Sequence, residues 1–246
     1  MKEILYGRNA ARECLRARHR HVHRVIMADN VQSSAIIEEI TTLAHRAKVP
    51  VQKTSKKELD KIANGHQGVM LEVGRFPTVE LDDILRRAEK QGEPVFIAVL
   101  DHIEDPHNLG AILRTAEIVG VHGVIIPKQR AVGITPAVVN ASAGAAEHML
   151  VAEVANVVQT LKKLKERDVW IAGLEGVPEA TRYDQTNLSG NLAVVIGSEG
   201  QGMSRLVKET CDFLVRLPMR GQIESLNASV AAGLILYEVW RTRNFE

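Results

Sequence analysis

The chain has 246 residues, 45% of them hydrophobic and 25% charged, and a formal net charge of +1. That length holds one large domain or two smaller ones, and the balance is ordinary for a soluble globular protein, with no overall basic excess to announce a nucleic-acid binder. No apolar run approaches the ~20 residues a membrane helix needs. The first residues, Met1-Lys-Glu-Ile-Leu-Tyr-Gly7, lack an apolar signal core and carry an acid, so a cytoplasmic protein with no membrane contact is expected. Cys14 and Cys211 are too far apart in sequence to suggest a metal motif or a disulfide framework, and read as buried reduced thiols.

Asn9 to Ala17 reads as a helix, with apolar Ala10, Ala11, Cys14 and Leu15. Val22 to Ala28 reads as a strand. The first 24 residues hold seven Lys or Arg, three His and two acids, with Arg16, Arg18, Arg20 and Arg24 interleaved with His19, His21 and His23. A phosphate-binding patch explains this, and so does a solvated helix end and loop. Ser33 to Lys48 repeats apolar residues at helical spacing. A short strand is expected at Val49-Pro-Val51. A helix follows from Ser55, with Glu58 as its capping-box partner, then a strand from Gln67 to Val73. Residues 1–75 therefore suit a small α/β domain with a core of marginal size.

Residues 76–93 read as a linker carrying one amphipathic helix, Leu81 to Gln91, closed by Gly92 and Pro94. From residue 94 the pattern changes. Val95–Leu100, Gly123–Pro127, Val169–Ala172 and Leu192–Ile196 are continuous apolar runs, the mark of strands covered on both faces. Their alternation with helices predicts a parallel α/β sheet over residues 94–246. In the last helix, Leu226 to Trp240, apolar residues occupy nearly the whole circumference. Such a helix must be buried all round, by its own domain or by a second copy of the chain.

Three short blocks carry the chemistry. The first, Asn108-Leu-Gly-Ala-Ile-Leu-Arg114, lies on a helix expected to begin near Pro106, with Arg114 off the apolar stripe of Leu109, Ile112, Leu113, Ala116 and Val119. The surface alternative for Arg114 is an ion pair with Glu117. Asp101, His102, Glu104, Asp105 and His107 are possible metal ligands by type, but their spacing fits no regular helical pair. The second block, Gly197-Ser-Glu-Gly-Gln-Gly202, follows a buried strand, where a glycine-rich turn lets a ligand approach the backbone. Its order differs from the dinucleotide fingerprint G-x-G-x-x-G, and Glu199 inside the loop would repel a pyrophosphate. The third block runs from Pro218-Met219 to Ser225-Leu-Asn-Ala-Ser229, where Ser225 and Asn227 are both good helix N-caps.

In this order and spacing the blocks resemble the signature of the SpoU (TrmH-like) branch of SPOUT RNA methyltransferases. Tyr6-Gly-Arg-Asn-Ala10 and Gly65-His-Gln-Gly-Val69 narrow the resemblance to bacterial 23S rRNA guanosine-2′-O-methyltransferases of the RlmB type. The resemblance implies an α/β-knot catalytic domain with a parallel sheet and a trefoil knot formed by about the last 55 residues, an exception to the rule against knots. It also implies a preceding ribosomal-protein-like α/β domain that binds RNA.

The implied cofactor is S-adenosyl-L-methionine, held by Ile196, Gly197, Leu217, Met219 and Leu226. The implied catalytic residues are Asn108, Arg114, Glu199, Ser225 and Asn227, without a metal. The implied substrate is a guanosine ribose of 23S rRNA in the peptidyl-transferase region, and the implied working unit is a homodimer. Another rRNA or tRNA site, or a ribosome-assembly factor that binds RNA without catalysis, is the alternative. An oxidoreductase is disfavoured by the glycine order.

Overall fold

The computed structural model describes residues 2–243, which pack as two compact units. The first comprises the chain up to Pro77 together with residues Ile134–His148, and the second comprises Thr78–Gly133 and the chain from Met149 onward.

The first unit holds a four-stranded mixed sheet. β1 (Glu3–Tyr6), β2 (Val22–Ala28), β3 (Val51–Thr54) and β4 (Val69–Val73) lie in the order β1-β4-β2-β3. β4 pairs antiparallel with β1 and β2, and β2 pairs parallel with β3. β4 is central, and all five of its residues are buried. Helices α1 (Arg8–Ala17) and α2 (Ala35–Arg46) pack on one another, and Ala10, Ala11, Cys14 and Leu15 of α1 and Ile37, Ile40 and Ala44 of α2 are buried. Ser55 caps α3 (Lys56–Asp60) by accepting from the Glu58 N–H at 3.3 Å.

Residues 134–148, including α6 (Pro136–Ala141), return to this unit, where Val138, Val139 and Ala146 are buried and a buried charge pair adds to their hold. Both Glu147 oxygens take hydrogen bonds from the buried Arg20 guanidinium, at 2.6 and 3.1 Å. A buried carboxylate without such a partner would be strongly unfavourable. Nothing in the apolar periodicity of residues 134–148 signals this return.

The second unit is built on a seven-stranded parallel sheet. Its strands are β5 (Phe96–Asp101), β6 (Gly123–Pro127), β7 (Val151–Val154), β8 (Trp170–Leu174), β9 (Thr181–Arg182), β10 (Leu192–Gly197) and β11 (Phe213–Arg216). They run in the order β7-β6-β5-β10-β8-β11-β9, and every pair is parallel. The buried runs predicted from residue 94 onward are the central strands. β7, whose short apolar run is broken by Glu153, the four-residue β11 and the two-residue β9 do not stand out as continuous runs.

Alternation along the strands sorts the core. Ile97 and Val99 of β5 and Ala193 and Val195 of β10 pack with helices α4 (Leu81–Gln91), α7 (Val157–Lys165) and α8 (Arg205–Thr210). α4 is thus a core element and not a free linker helix: Ile84 is fully buried in this cluster, directly against Gly123. Elsewhere in the unit, α5 (Pro106–Ile118) and α9 (Ala228–Thr242) pack against each other.

α9 is not buried all round by its own unit. Ala228, Ala232, Ile235, Leu236 and Val239 are buried, whereas Val230, Leu234 and Tyr237 are 50%, 47% and 44% exposed. The three open residues follow i, i+4, i+7 spacing and so form one stripe. The α5 residues Arg114 and Ile118 are also exposed, at i, i+4 spacing. Among the described residues no helix is long and apolar enough to cross a membrane.

Candidate active site

The carboxyl ends of adjacent parallel strands are where open α/β sheets bind ligands. Here β8, β10 and β11 end side by side, and the segments that leave them enclose a cleft of about 340 Å³. Glu175 and Gly176 follow β8, the loop Ser198–Gly202 follows β10, and Leu217 and Met219 follow β11. Glu224, Ser225 and Leu226 close the cleft from the approach to α9, and Ala228 and Ala231 on α9 complete it.

The glycines of the second block have separate tasks. A Cβ on Gly197 would lie 2.1 Å from the Gly202 carbonyl carbon and 2.3 Å from the Met203 nitrogen, so only glycine lets the loop fold back on β10. Gly202 has φ 65°, in the left-handed region. The loop is closed by two backbone hydrogen bonds, Ser198 N–H to the Gly202 oxygen at 3.1 Å and Gly202 N–H to the Ser198 oxygen at 3.0 Å. From below, Asp101 at the end of β5 accepts from the Ser204 N–H at 2.8 Å.

A second cavity, of about 530 Å³, lies on the other side of the same loop. His102, Ile103, Asp105, Asn108 and Arg130 line it, together with Ser198, Glu199 and Gln201, which the two cavities share. Asp105 caps α5 by accepting from the His107 and Asn108 N–H groups, which seats Asn108 at the cavity wall. The carboxylates of Asp101 and Asp105 thus cap backbone. Among the described residues no group of three or more His, Cys, Asp or Glu converges to hold a metal.

Asn108, Glu199 and Asn227, one from each block, meet at the junction. Glu199 Oε1 accepts from Asn108 Nδ2 at 3.2 Å, from the Ala228 N–H at 3.3 Å and from Asn227 Nδ2. Asn227 Nδ2 also donates to Asn108 Oδ1 at 2.9 Å. Asn227 is the N-cap of α9 as well, its Oδ1 accepting from the Ser229 and Val230 N–H groups at 2.9 and 3.3 Å. Capping and site-building are therefore one role.

All five residues predicted to hold a cofactor, Ile196, Gly197, Leu217, Met219 and Leu226, line the first cleft, as do Glu199 and Ser225. Ser225 is not the cap. Arg114 lines neither cavity. It stands exposed on α5 and its side chain makes no hydrogen bond or ion pair among the described residues, so the Glu117 alternative does not form. Sequence reasoning missed Glu175, Gly176 and Arg130. Glu175 and Gly176 directly follow a buried strand, a position that could have flagged them.

Residues 95–237 match the SpoU rRNA Methylase family, and residues 4–79 match the family described as RNA 2′-O ribose methyltransferase substrate binding. The chain belongs to the SpoU rRNA methylase family, whose members are RNA methyltransferases. It is 47% identical over 245 residues to YacO of Bacillus subtilis (strain 168), a protein assigned to the TrmH family of tRNA/rRNA methyltransferases; the alignment covers 98% of this chain and 96% of YacO. A Staphylococcus aureus (strain COL) protein with the same assignment is 43% identical, over 98% of this chain and 96% of its own. Among solved structures, the SpoU methyltransferase AviRb from Streptomyces viridochromogenes, in complex with AdoMet, has the same fold. Its TM-score is 0.82 at 22% identity, covering 100% of this chain and 92% of that one.

Proposed function

We propose that this protein transfers a methyl group from S-adenosylmethionine to a ribose 2′-hydroxyl of 23S rRNA, at a guanosine of the peptidyl-transferase region, and works as a cytoplasmic homodimer with no metal. The observation that carries the reading is the meeting of Asn108, Glu199 and Asn227 at the wall between two cavities. Transfer between two bound molecules needs two adjoining sites with oriented polar groups where they meet.

The donor set of the first cleft suits this cofactor. Leu217 and Leu226 offer apolar surface for an adenine, while Glu175, Glu199 and Glu224 favour a cationic sulfonium and ammonium and disfavour the phosphates of a nucleotide. Bound there, the cofactor supplies an electrophilic methyl group. The transfer breaks a carbon–sulfur bond, forms a carbon–oxygen bond and passes the hydroxyl proton to water. Glu199 is held through Oε1, which leaves Oε2 to accept the hydroxyl's hydrogen bond and align it. Ser225 borders the same space.

Arg114 has the right chemistry to stabilise a developing alkoxide, since a guanidinium stays charged. It lines neither cavity of its own chain's site, and in this reading it acts at the site of a second copy. The exposed stripe Val230, Leu234 and Tyr237 supports such a dimer. In the same reading, the first unit holds the RNA and the second forms the knotted catalytic domain.

The test is methyl transfer from tritiated S-adenosylmethionine to deproteinised 23S rRNA and, in parallel, to tRNA, with the modified ribose mapped. Incorporation at a guanosine 2′-oxygen of 23S rRNA is expected. Label in tRNA alone would move the target. RNA binding without incorporation would favour the assembly-factor reading. A mixture of Arg114→Ala and Glu199→Ala chains, each inactive alone, should regain about a quarter of wild-type activity if each site draws on two copies. No regain means that Arg114 serves its own chain or none.

A further inference from the structure

The arginine-rich segment of the first unit divides on folding. Arg16 pairs with Glu13 and Glu39 at 3.0 and 2.5 Å, Arg20 with Glu3 and Glu147, and Arg24 with Glu72 at 2.7 Å. Those three cations are neutralised within the unit. The side chains of Arg18, Arg46 and Lys48 make no hydrogen bond or ion pair among the described residues. These three exposed cations line one groove of about 520 Å³, with His21 and His23 also on its wall and no carboxylate in its lining.

The backbone at two of these positions is unusual. Arg18, at the end of α1, has φ 52°, and Lys48, just past α2, has φ 56°. Helices commonly end at such left-handed positions, and glycine or asparagine usually occupies them. Here a long cation instead stands at the end of α1 and another just past the Ala47 cap of α2, and both line the same groove. Cations near a helix C-terminus offset its dipole, and Arg46 lies in the last turn of α2. That role does not require Lys48, beyond the helix and in a strained conformation, as well.

We propose that this groove, through Arg18, Arg46 and Lys48, binds the phosphodiester backbone of the RNA substrate. The proposal rests on the RNA methyltransferase reading and deepens it by naming where the first unit grips RNA. The three cations come from separate points along two helix ends and are exposed, which suits successive phosphates of a strand more than one enclosed phosphate. Such contacts position RNA without reading its sequence, and they make affinity salt-dependent.

The experiment measures binding of in vitro transcribed 23S rRNA, by filter retention between 50 and 300 mM KCl, for wild type and for Arg18→Gln/Arg46→Gln/Lys48→Gln. The slope of log K against log salt should become shallower by about 2 to 3, at roughly 0.7 to 0.9 per lost phosphate contact. Affinity should fall at least tenfold near 100 mM KCl, while S-adenosylmethionine binding by calorimetry stays within about twofold. Lys56→Gln/Lys57→Gln/Lys61→Gln, on and just past α3 of the same unit, removes the same charge and should leave the slope within about one.

Arg18→Gly/Lys48→Gly separates binding from folding, because glycine suits both backbone angles. It should melt no lower than wild type and still lose RNA affinity. An unchanged slope in the triple variant overturns the groove, and so does an equal loss in the α3 control. A fall in melting temperature with RNA affinity intact assigns the cations to helix ends and also overturns it. In each of those cases the wild type still binds and methylates RNA. A wild-type chain that does neither overturns the RNA methyltransferase reading itself.

Discussion

Gly197→Ala tests the architecture of the active-site loop. The added methyl carbon would sit 2.1 Å from the Gly202 carbonyl carbon, 2.3 Å from the Met203 nitrogen and 2.4 Å from the Gly202 oxygen. All three are backbone atoms, so no rotamer change relieves the overlap. Reaching an ordinary 3.4 Å contact means moving the returning arm of the loop by 1.3 Å, the difference from 2.1 Å. That shift breaks the two hydrogen bonds between Ser198 and Gly202 and draws Ser204 away from Asp101. Overpacking costs about 1–3 kcal/mol, and each lost hydrogen bond about 0.5–1.5 kcal/mol. The entropy that alanine removes from the unfolded chain returns only about 0.4–1 kcal/mol. A net loss of about 2–4 kcal/mol lowers the melting temperature of a chain this size by roughly 5–15 °C. Differential scanning calorimetry reads the shift, and titration with S-adenosylmethionine should show affinity at least tenfold weaker. A variant that melts within about 1 °C of wild type and binds the cofactor equally well would refute the reasoning.

Val230→Glu/Tyr237→Glu, on the open stripe of α9, should leave a folded monomer by light scattering with lowered activity; Leu236→Glu, on the buried side of the same helix, should instead disrupt folding. Arg20→Ala strands the buried Glu147 carboxylate and should destabilise the first unit by about 3–5 kcal/mol in urea, whereas Arg20→Met/Glu147→Leu should recover most of that loss. Burial holds the His122 imidazole below its ordinary pKa, against the opposing pull of Glu93. The unfolded chain therefore takes up a proton more readily, so stability is lost as pH falls through about 6.5. His122→Asn, which can keep an acceptor for the Phe96 N–H, should flatten the melting temperature between pH 7 and 5.5. An unchanged slope would exclude His122 as the titrating group.

Local signals were enough for much of the second unit. The continuous apolar runs marked β5, β6, β8 and β10 because a parallel strand covered on both faces has no polar alternation. Gly92, with φ 70°, closes α4 where the helix-stop signals put its end. The three blocks were legible because close backbone approach and helix capping each admit few residue types. Distance relations were not legible. No periodicity predicts that Glu147 travels back to Arg20, or that Arg16, Arg20 and Arg24 are neutralised while Arg18 is not, since those pairings join residues up to 127 positions apart. The same holds for α9: its composition says that every face is apolar, but only the packing decides which face its own sheet covers and which is left to another surface. Asn108, Glu199 and Asn227 likewise become a site only when parallel crossovers bring the carboxyl ends of distant strands together. Sequence sets what each segment prefers locally, and tertiary packing decides which preferences meet.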